Sequence, residues 1–177
     1  ICTSAEEIAK RKTRAGEGVG SGGGGDAATE MRIDSIRVDI YKWINDGGAR
    51  GLTLPADLST ERYEELMSHY LAKNFVIIGS ISQSEEDASK DKEYRTSIDG
   101  QPKTCRGFIW SKDKRPHILC NIERLKATSS EDQYKHIHHA YAGLAGVEVN
   151  VGASSDYEMS KQITEFLESV PEVKLAV

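Results

Sequence analysis

Phe75-Val-Ile-Ile-Gly-Ser-Ile-Ser82 narrows the choice of fold more than any other segment of this chain. It is apolar or small at almost every position and shows no alternation with charged residues, so neither face of the extended segment suits water. A strand of that kind reads as the buried centre of a sheet. The fold class that follows is α/β, a mixed α+β arrangement with a central mixed sheet and helices packed on it.

The helices announce themselves by period. Ile33, Ile36, Ile40, Trp43 and Ile44 recur at helical spacing, and Gly47-Gly48 stop the run. After Pro55, Ser59 or Thr60 caps a second helix whose stripe is Tyr63, Leu66, Met67, Tyr70 and Leu71, with Asn74 as its C-terminal cap. Ser84–Lys92 reads as a short charged helix or loop, Ser130–Leu144 as a helix, Val147–Val151 as a strand and Asp156–Ser169 as a last helix. Val173–Val177 reads as a short closing strand. Between Phe75 and Val151 the order is β-α-β-β-α-β, the ferredoxin-like order.

Ahead of this lies a different kind of sequence. A capping-box pattern at Ser4–Glu7 starts a short helix that ends in Lys10, Arg11, Lys12 and Arg14. The tract Ala15–Asp26, mostly glycine, can bury almost nothing and reads as a flexible linker. Residues 1–27 are therefore an arm and linker, and 28–177 a single α/β domain. The first residue is Ile1, and Ile1–Ser4 looks like a strand entering a helix, so the sequence reads as a piece of a longer or processed protein. No apolar run approaches the roughly 20 residues that cross a bilayer. Cys2, Cys105 and Cys120 are odd in number and lack CxxC spacing, which suits neither a zinc ribbon nor a disulfide framework and points to a reducing, intracellular compartment.

Charge supplies the functional lead. Lys103–Lys126 carries seven basic and two acidic residues, a local +5 in a chain of net charge −5, so the rest sums to −10. Within it, Cys105–Ser111 and His117–Glu123 flank the turn Lys112-Asp-Lys-Arg-Pro116, a hairpin signal. Alternation puts Cys105, Gly107, Ile109, Ile118, Cys120 and Ile122 on one face, small or apolar and suited to the core. The other face carries Arg106, Phe108 and Trp110, then His117, Leu119 and Asn121. If open, this second face is an aromatic platform edged with cations, which is what a single-stranded nucleic acid uses. Lys103, Arg106, Phe108, Trp110, Lys112, Lys114, Arg115 and His117 are thus the candidate RNA-binding residues, with Lys10, Arg11, Lys12 and Arg14 as a secondary basic arm. The competing expectation is that Phe108, Trp110 and Leu119 are core and the lysines only solvate a turn.

Other constellations say less. Gly18-Val-Gly-Ser-Gly-Gly23 fits GxGxxG, but a charged helix precedes it instead of a strand, so no nucleotide role is assigned. His136 and His139 lie one helical turn apart, which raises a His-dependent metal enzyme as an alternative; no further ligand stands at diagnostic spacing, and no metal site is assigned. His138 falls on the apolar face with Tyr134, Ile137 and Tyr141 and reads as packed. A structural or protein-interaction module is the other alternative.

The glycine tract Ala15–Asp26 followed by Ala28-Thr-Glu-Met-Arg-Ile-Asp-Ser-Ile-Arg-Val-Asp-Ile-Tyr-Lys-Trp43 resembles the layout of the C-terminal part of the orbivirus helicase, a minor inner-core protein of bluetongue-like viruses. The resemblance implies an RNA-binding, ATP-hydrolysing helicase component of the virion inner core that acts in genome packaging or replication. It also implies ATP and Mg as cofactors, with viral core proteins and further copies of the chain as partners. The sequence shows neither a Walker A lysine nor a helicase acidic box, so the catalytic residues are unknown and no catalytic position carries over.

Overall fold

The computed structural model describes residues 25–148, 150, 151, 154, 155 and 157–168. The expected first helix, the basic cluster Lys10–Arg14, the glycine motif Gly18–Gly23 and the strand Val173–Val177 lie outside the described residues.

Helix α1 (Ala27–Asn45) starts at Asp26, whose carboxylate accepts from the Thr29 amide, and buries Ile33, Ile36, Ile40, Trp43 and Ile44. Helix α2 (Thr60–Leu71) is capped by Ser59 Oγ, which accepts from the Arg62 amide at 3.1 Å; Tyr63, Met67 and Leu71 are fully buried. Both starts place a side-chain oxygen where helix amides lack partners. Strand β1 (Ile77–Ile81) leads to a short helix α3 (Gln83–Ala88), and a long irregular segment then reaches β2 (Cys105–Trp110) and β3 (Arg115–Asn121). Helix α4 (Ile122–Lys126) follows directly, then α5 (Ser130–Ala145), which ends on Gly146 in the left-handed region. A two-residue ladder of β4 (Asn150–Val151) and β5 (Ser154–Ser155) precedes α6 (Ser160–Glu168). Among the described residues no helix is long and apolar enough to cross a membrane.

The mixed α/β class holds, but the topology differs from the expected ferredoxin-like unit. The main sheet has three strands in the order β1-β3-β2, with β1 parallel and β2 antiparallel to β3. The apolar segment 75–82 is therefore an edge strand, in which Ile77 and Gly79 are only half-buried, and the centre is β3, buried from His117 to Asn121. The tight turn sets β2 beside β3, and β1 pairs in parallel along the free side of β3. The expected fourth strand does not join this sheet. Only residues 146–149 separate α5 from β4, and Glu148 in that stretch is drawn into a buried network with α6.

Within the strands the two faces of the hairpin carry the residues that alternation assigns, but Ile122, expected on the core face of the second strand, instead starts helix α4. In the register, Cys105 faces Cys120, Gly107 faces Ile118 and Phe108 faces His117. Cys105, Ile118 and Cys120 join the main core with α1, α2 and α5. A Cβ on Gly107 would come within 2.2 Å of the Ala140 carbonyl oxygen, so α5 packs onto β2 at a distance only glycine allows. Ile109 is a correction: it is 52% exposed, because it lies nearer the turn than Gly107, the residue on which α5 packs. Cys105 and Cys120 are also a correction to the reading of unpaired thiols. They are directly opposite in the register, and a disulfide joins them.

Candidate nucleic-acid interface

Residues 89–104 run from α3 to β2 and close the sheet face that the helices leave uncovered. Tyr94 is their key side chain. Its ring stacks on Trp110 with centroids 4.7 Å apart and planes 24° apart, and it meets Phe108 at 6.0 Å and His117 at 6.1 Å. It spans the sheet as far as β1, where a Cβ on Gly79 would lie 2.8 Å from the Tyr94 hydroxyl. Ile81, Phe108 and Leu119 form a second small core beneath Tyr94 and Trp110.

The open aromatic platform is therefore not what the sheet presents. Phe108 is 8% exposed, Leu119 and Asn121 are fully buried, and Trp110 is half-buried. The cover is a loop and not a helix, which explains why helical periodicity gives no sign of it. Arg106 also turns inward: its Cζ lies 4.3 Å over Phe108, and Nη1 donates to the backbone oxygens of Glu93 and Arg95 at 2.5 and 3.0 Å. Burial, with the neighbouring Arg95 charge, lowers the Arg106 pKa while Glu93 and Glu86 oppose that shift. His117 is buried, stacks on Phe108 at 5.8 Å and places Nε2 2.7 Å from Asp113 Oδ2. Lys103 lines a small cleft with Ile98, Gly107, His139 and Tyr157, on the other side of β2 from Phe108.

What remains outward is the hairpin tip. Lys112, Lys114 and Arg115 are exposed, and Lys114 sits at φ 62° in the turn. The structure adds two cations that sequence reasoning left out. Asp91 Oδ2 lies 3.5 Å from Lys112 Nζ and 3.3 Å from Trp110 Nε1, so its exposed neighbours Lys90 and Lys92 are carried to the same end. The basic island also divides. Arg124 donates to Gln83, and Lys126 pairs with Asp26 at 3.5 Å, both at the far end of β3. Seven residues of strand separate them from the tip, about 20 Å.

The tip carboxylates all have partners within the chain. Asp91 accepts from the Glu93 and Tyr94 amides at 2.9 and 3.2 Å. Burial works against its charge, but these amides, Lys112 and the Trp110 indole hold its carboxyl below the usual range. Glu93 accepts from the Ser111 hydroxyl and amide at 2.7 and 2.8 Å, which lowers its pKa. Asp113 accepts from the Arg115 amide at 2.9 Å and contacts His117. Exposed cations beside acids that already have partners within the chain suit contact with a polyanion. The signal for Asp91, Glu93 and Tyr94 was not periodic. Only the fold shows that residues 91–94 lie on residues 108–112.

The histidine cluster resolves differently. Ser160 Oγ donates to Glu148 Oε1, so the His138 Nδ1–H must be what meets Ser160 Oγ at 2.6 Å, and His138 Nε2 accepts the Tyr63 hydroxyl at 2.6 Å. His139 Nδ1 lies 2.9 Å from Glu148 Oε1, while Glu148 Oε2 accepts the Met159 and Ser160 amides at 2.6 and 2.9 Å. Tyr63, His138 and Ser160 are fully buried and Glu148 is 1% exposed. Burial, against the pull of Glu148, pushes the His138 pKa down to about 4, consistent with the neutral tautomer. Burial opposes the Glu148 charge as well, but bonds from His139 and Ser160 hold its carboxyl below the usual range. This sealed chain docks α6 onto α5. His136 stands apart from it, edge-on to Tyr157 at 5.9 Å, while His139 stacks on the same ring at 4.0 Å. Among the described residues no group of three His, Cys, Asp or Glu side chains is placed to hold a metal ion.

No protein-family model matches the chain, and neither a curated protein nor a solved structure matches it.

Proposed function

We propose that the chain binds RNA through the tip of the β2–β3 hairpin, with Lys112, Lys114 and Arg115 meeting phosphates beside Lys90 and Lys92. The observation that supports this reading is the grouping of five exposed cations at one end of the molecule, next to three carboxylates already committed to internal partners. Phosphate contact of this kind is independent of base identity and releases counterions. In the setting given by the orbivirus resemblance, the RNA is viral, the site is the virion inner core, and binding accompanies ATP hydrolysis and assembly with core proteins or further copies of the chain. An RNA-stimulated ATPase assay on the whole protein tests that extension.

The binding itself is tested by measuring RNA affinity against salt. Log K should fall linearly with log salt, and a Lys112→Glu, Lys114→Glu, Arg115→Glu variant should flatten the slope by about 2, at about 0.7 per phosphate contact on single strands. A flat line for the unmodified protein ends the reading.

A further inference from the structure

We propose that Trp110 and Lys112 form a binding site for one nucleotide of single-stranded RNA, occupied in this structure by the chain's own Asp91–Tyr94 segment. The inference rests on the RNA reading above and goes beyond it by giving the hairpin a base-binding position and an internal competitor.

The argument is one of chemical mimicry. A nucleotide offers a flat ring for stacking and an anion for a cation, and both needs are met here from within the chain. The Tyr94 ring lies on the Trp110 indole at 4.7 Å, 24° from parallel, within the range of a stacked base. The Asp91 carboxylate stands where a phosphate would, 3.5 Å from Lys112 Nζ and 3.3 Å from Trp110 Nε1. Lys112 Nζ is itself 5.5 Å from the Trp110 ring centroid, so cation and stacking surface form one unit. Asp91 also accepts the Glu93 and Tyr94 amides, which sets carboxylate and ring in a fixed relation, as a sugar sets phosphate and base.

The segment is tethered unevenly. At its far end Thr96 is buried and donates through both amide and hydroxyl to Glu86, and the Arg106 guanidinium holds the Glu93 and Arg95 carbonyls. At the Trp110 end the two Asp91 contacts are the long ones, although Glu93 holds Ser111 at 2.7 and 2.8 Å. The segment can lift from Trp110 only if Glu93 also leaves Ser111 and Arg106, with buried Thr96 as the fixed point. Lifting leaves Trp110 with an open face beside Lys112, Lys114 and Arg115. Bases paired in a duplex cannot reach that face, so the site selects single strands.

The test compares the unmodified protein with Asp91→Asn, Tyr94→Ala and Lys112→Glu. The probes are a single-stranded oligoadenylate of about ten nucleotides, within the reach of one such site, and a duplex RNA of equal length. Tyr94→Ala should tighten the single strand about tenfold, the value of one base–aromatic stack, and leave the duplex unchanged, whereas Asp91→Asn, which also frees Lys112 for phosphate, should tighten the single strand about tenfold and the duplex by less. Lys112→Glu should weaken both probes. Tyr94 also covers the small core, so Asp91→Asn, which keeps the shape, carries the test if Tyr94→Ala unfolds. In the unmodified protein, single-stranded RNA should speed hydrogen exchange at the amides of 91–94. Unchanged or weaker binding by Asp91→Asn, or slower exchange at 91–94, overturns the inference while a sloped salt plot keeps the RNA reading. A flat salt plot overturns both.

Discussion

On one side of the three-stranded sheet, Cys105, Ile118 and Cys120 lie under helices α1, α2 and α5, and a disulfide ties the first and last of them. On the other side, Phe108 and Leu119 lie under a single loop whose main contribution is the Tyr94 ring. Both sides exclude water from their central residues: Ile118 and Leu119, neighbours in β3 on opposite faces, are each fully buried. The difference is in what provides the cover. Helices bring many apolar side chains and satisfy their own backbone, and they close a face permanently. The loop brings one ring and a set of carboxylates, so it closes the face with contacts that a charged, flat ligand could replace. Function is expected on the side with the replaceable cover.

The sharpest test of this comparison is the adjacent pair Ile118→Ala and Leu119→Ala. Buried Leu or Ile to Ala costs about 2–5 kcal/mol, more where the surroundings cannot collapse into the cavity. Ile118→Ala, under the helices, should fall near 4 kcal/mol and Leu119→Ala, under the loop, near 2–3 kcal/mol on that scale, read by urea unfolding. Equal costs would mean that the loop is as rigid a cover as the helices.

Removing the disulfide is the next largest change and falls on the helical side. Cys105 and Cys120 are 15 residues apart, so a Cys105→Ala, Cys120→Ala variant should lose about 3 kcal/mol by the loop-entropy model. Thermal melting with and without reductant checks it, and the RNA affinity proposed for the hairpin tip should be unchanged.

Acid should loosen the helical side before the loop side. The unfolded chain protonates His138 near pH 6.5, whereas the folded chain resists until about 4, so the unfolded state binds more protons between those values and stability falls as pH drops. At about 1.4 kcal/mol per pH unit, the loss from pH 6.5 to 4 is roughly 3 kcal/mol. His136, pushed to about 4 by burial, moves in the same direction, and Glu148, held low, adds to the loss below its ordinary range. Hydrogen exchange in α6 should rise first. A stability that is flat from pH 7 to 4 would show that the sealed chain is not as drawn.

The smallest effect belongs to Trp110→Ala. This half-buried ring stacks on Tyr94 but lies at the margin of the small core, so the cost should be about 2 kcal/mol, one aromatic pair plus the burial of part of the ring. The domain should stay folded while RNA affinity drops. Loss of folding would place Trp110 with the core and not with the ligand.

Much of this architecture is legible without the fold. The periods of α1, α2 and α5 place their buried stripes, because a helix exposes the same face every three to four residues. The hairpin turn and the alternation of residues 105–121 put Cys105, Gly107, Ile118 and Cys120 together on the core side, because strand geometry has a period of two. The concentration of charge in Lys103–Lys126 is likewise a fact of composition. None of these depends on contacts between distant segments.

Everything decided by such contacts needed the tertiary structure. Segment 75–82 is an edge strand because the centre of the sheet is β3, paired with β1 on one side and β2 on the other. Phe108 and Trp110 lost their open face to Tyr94, a residue whose sequence neighbourhood carries no period to announce it. The charged island split along the length of β3, and Lys90 and Lys92 joined its outer part through Asp91 and Lys112. The sequence alone determined which side chains share a face. Which faces are covered, and by what, is a property of the folded chain, since periodicity records local geometry and burial is settled by residues far apart along it.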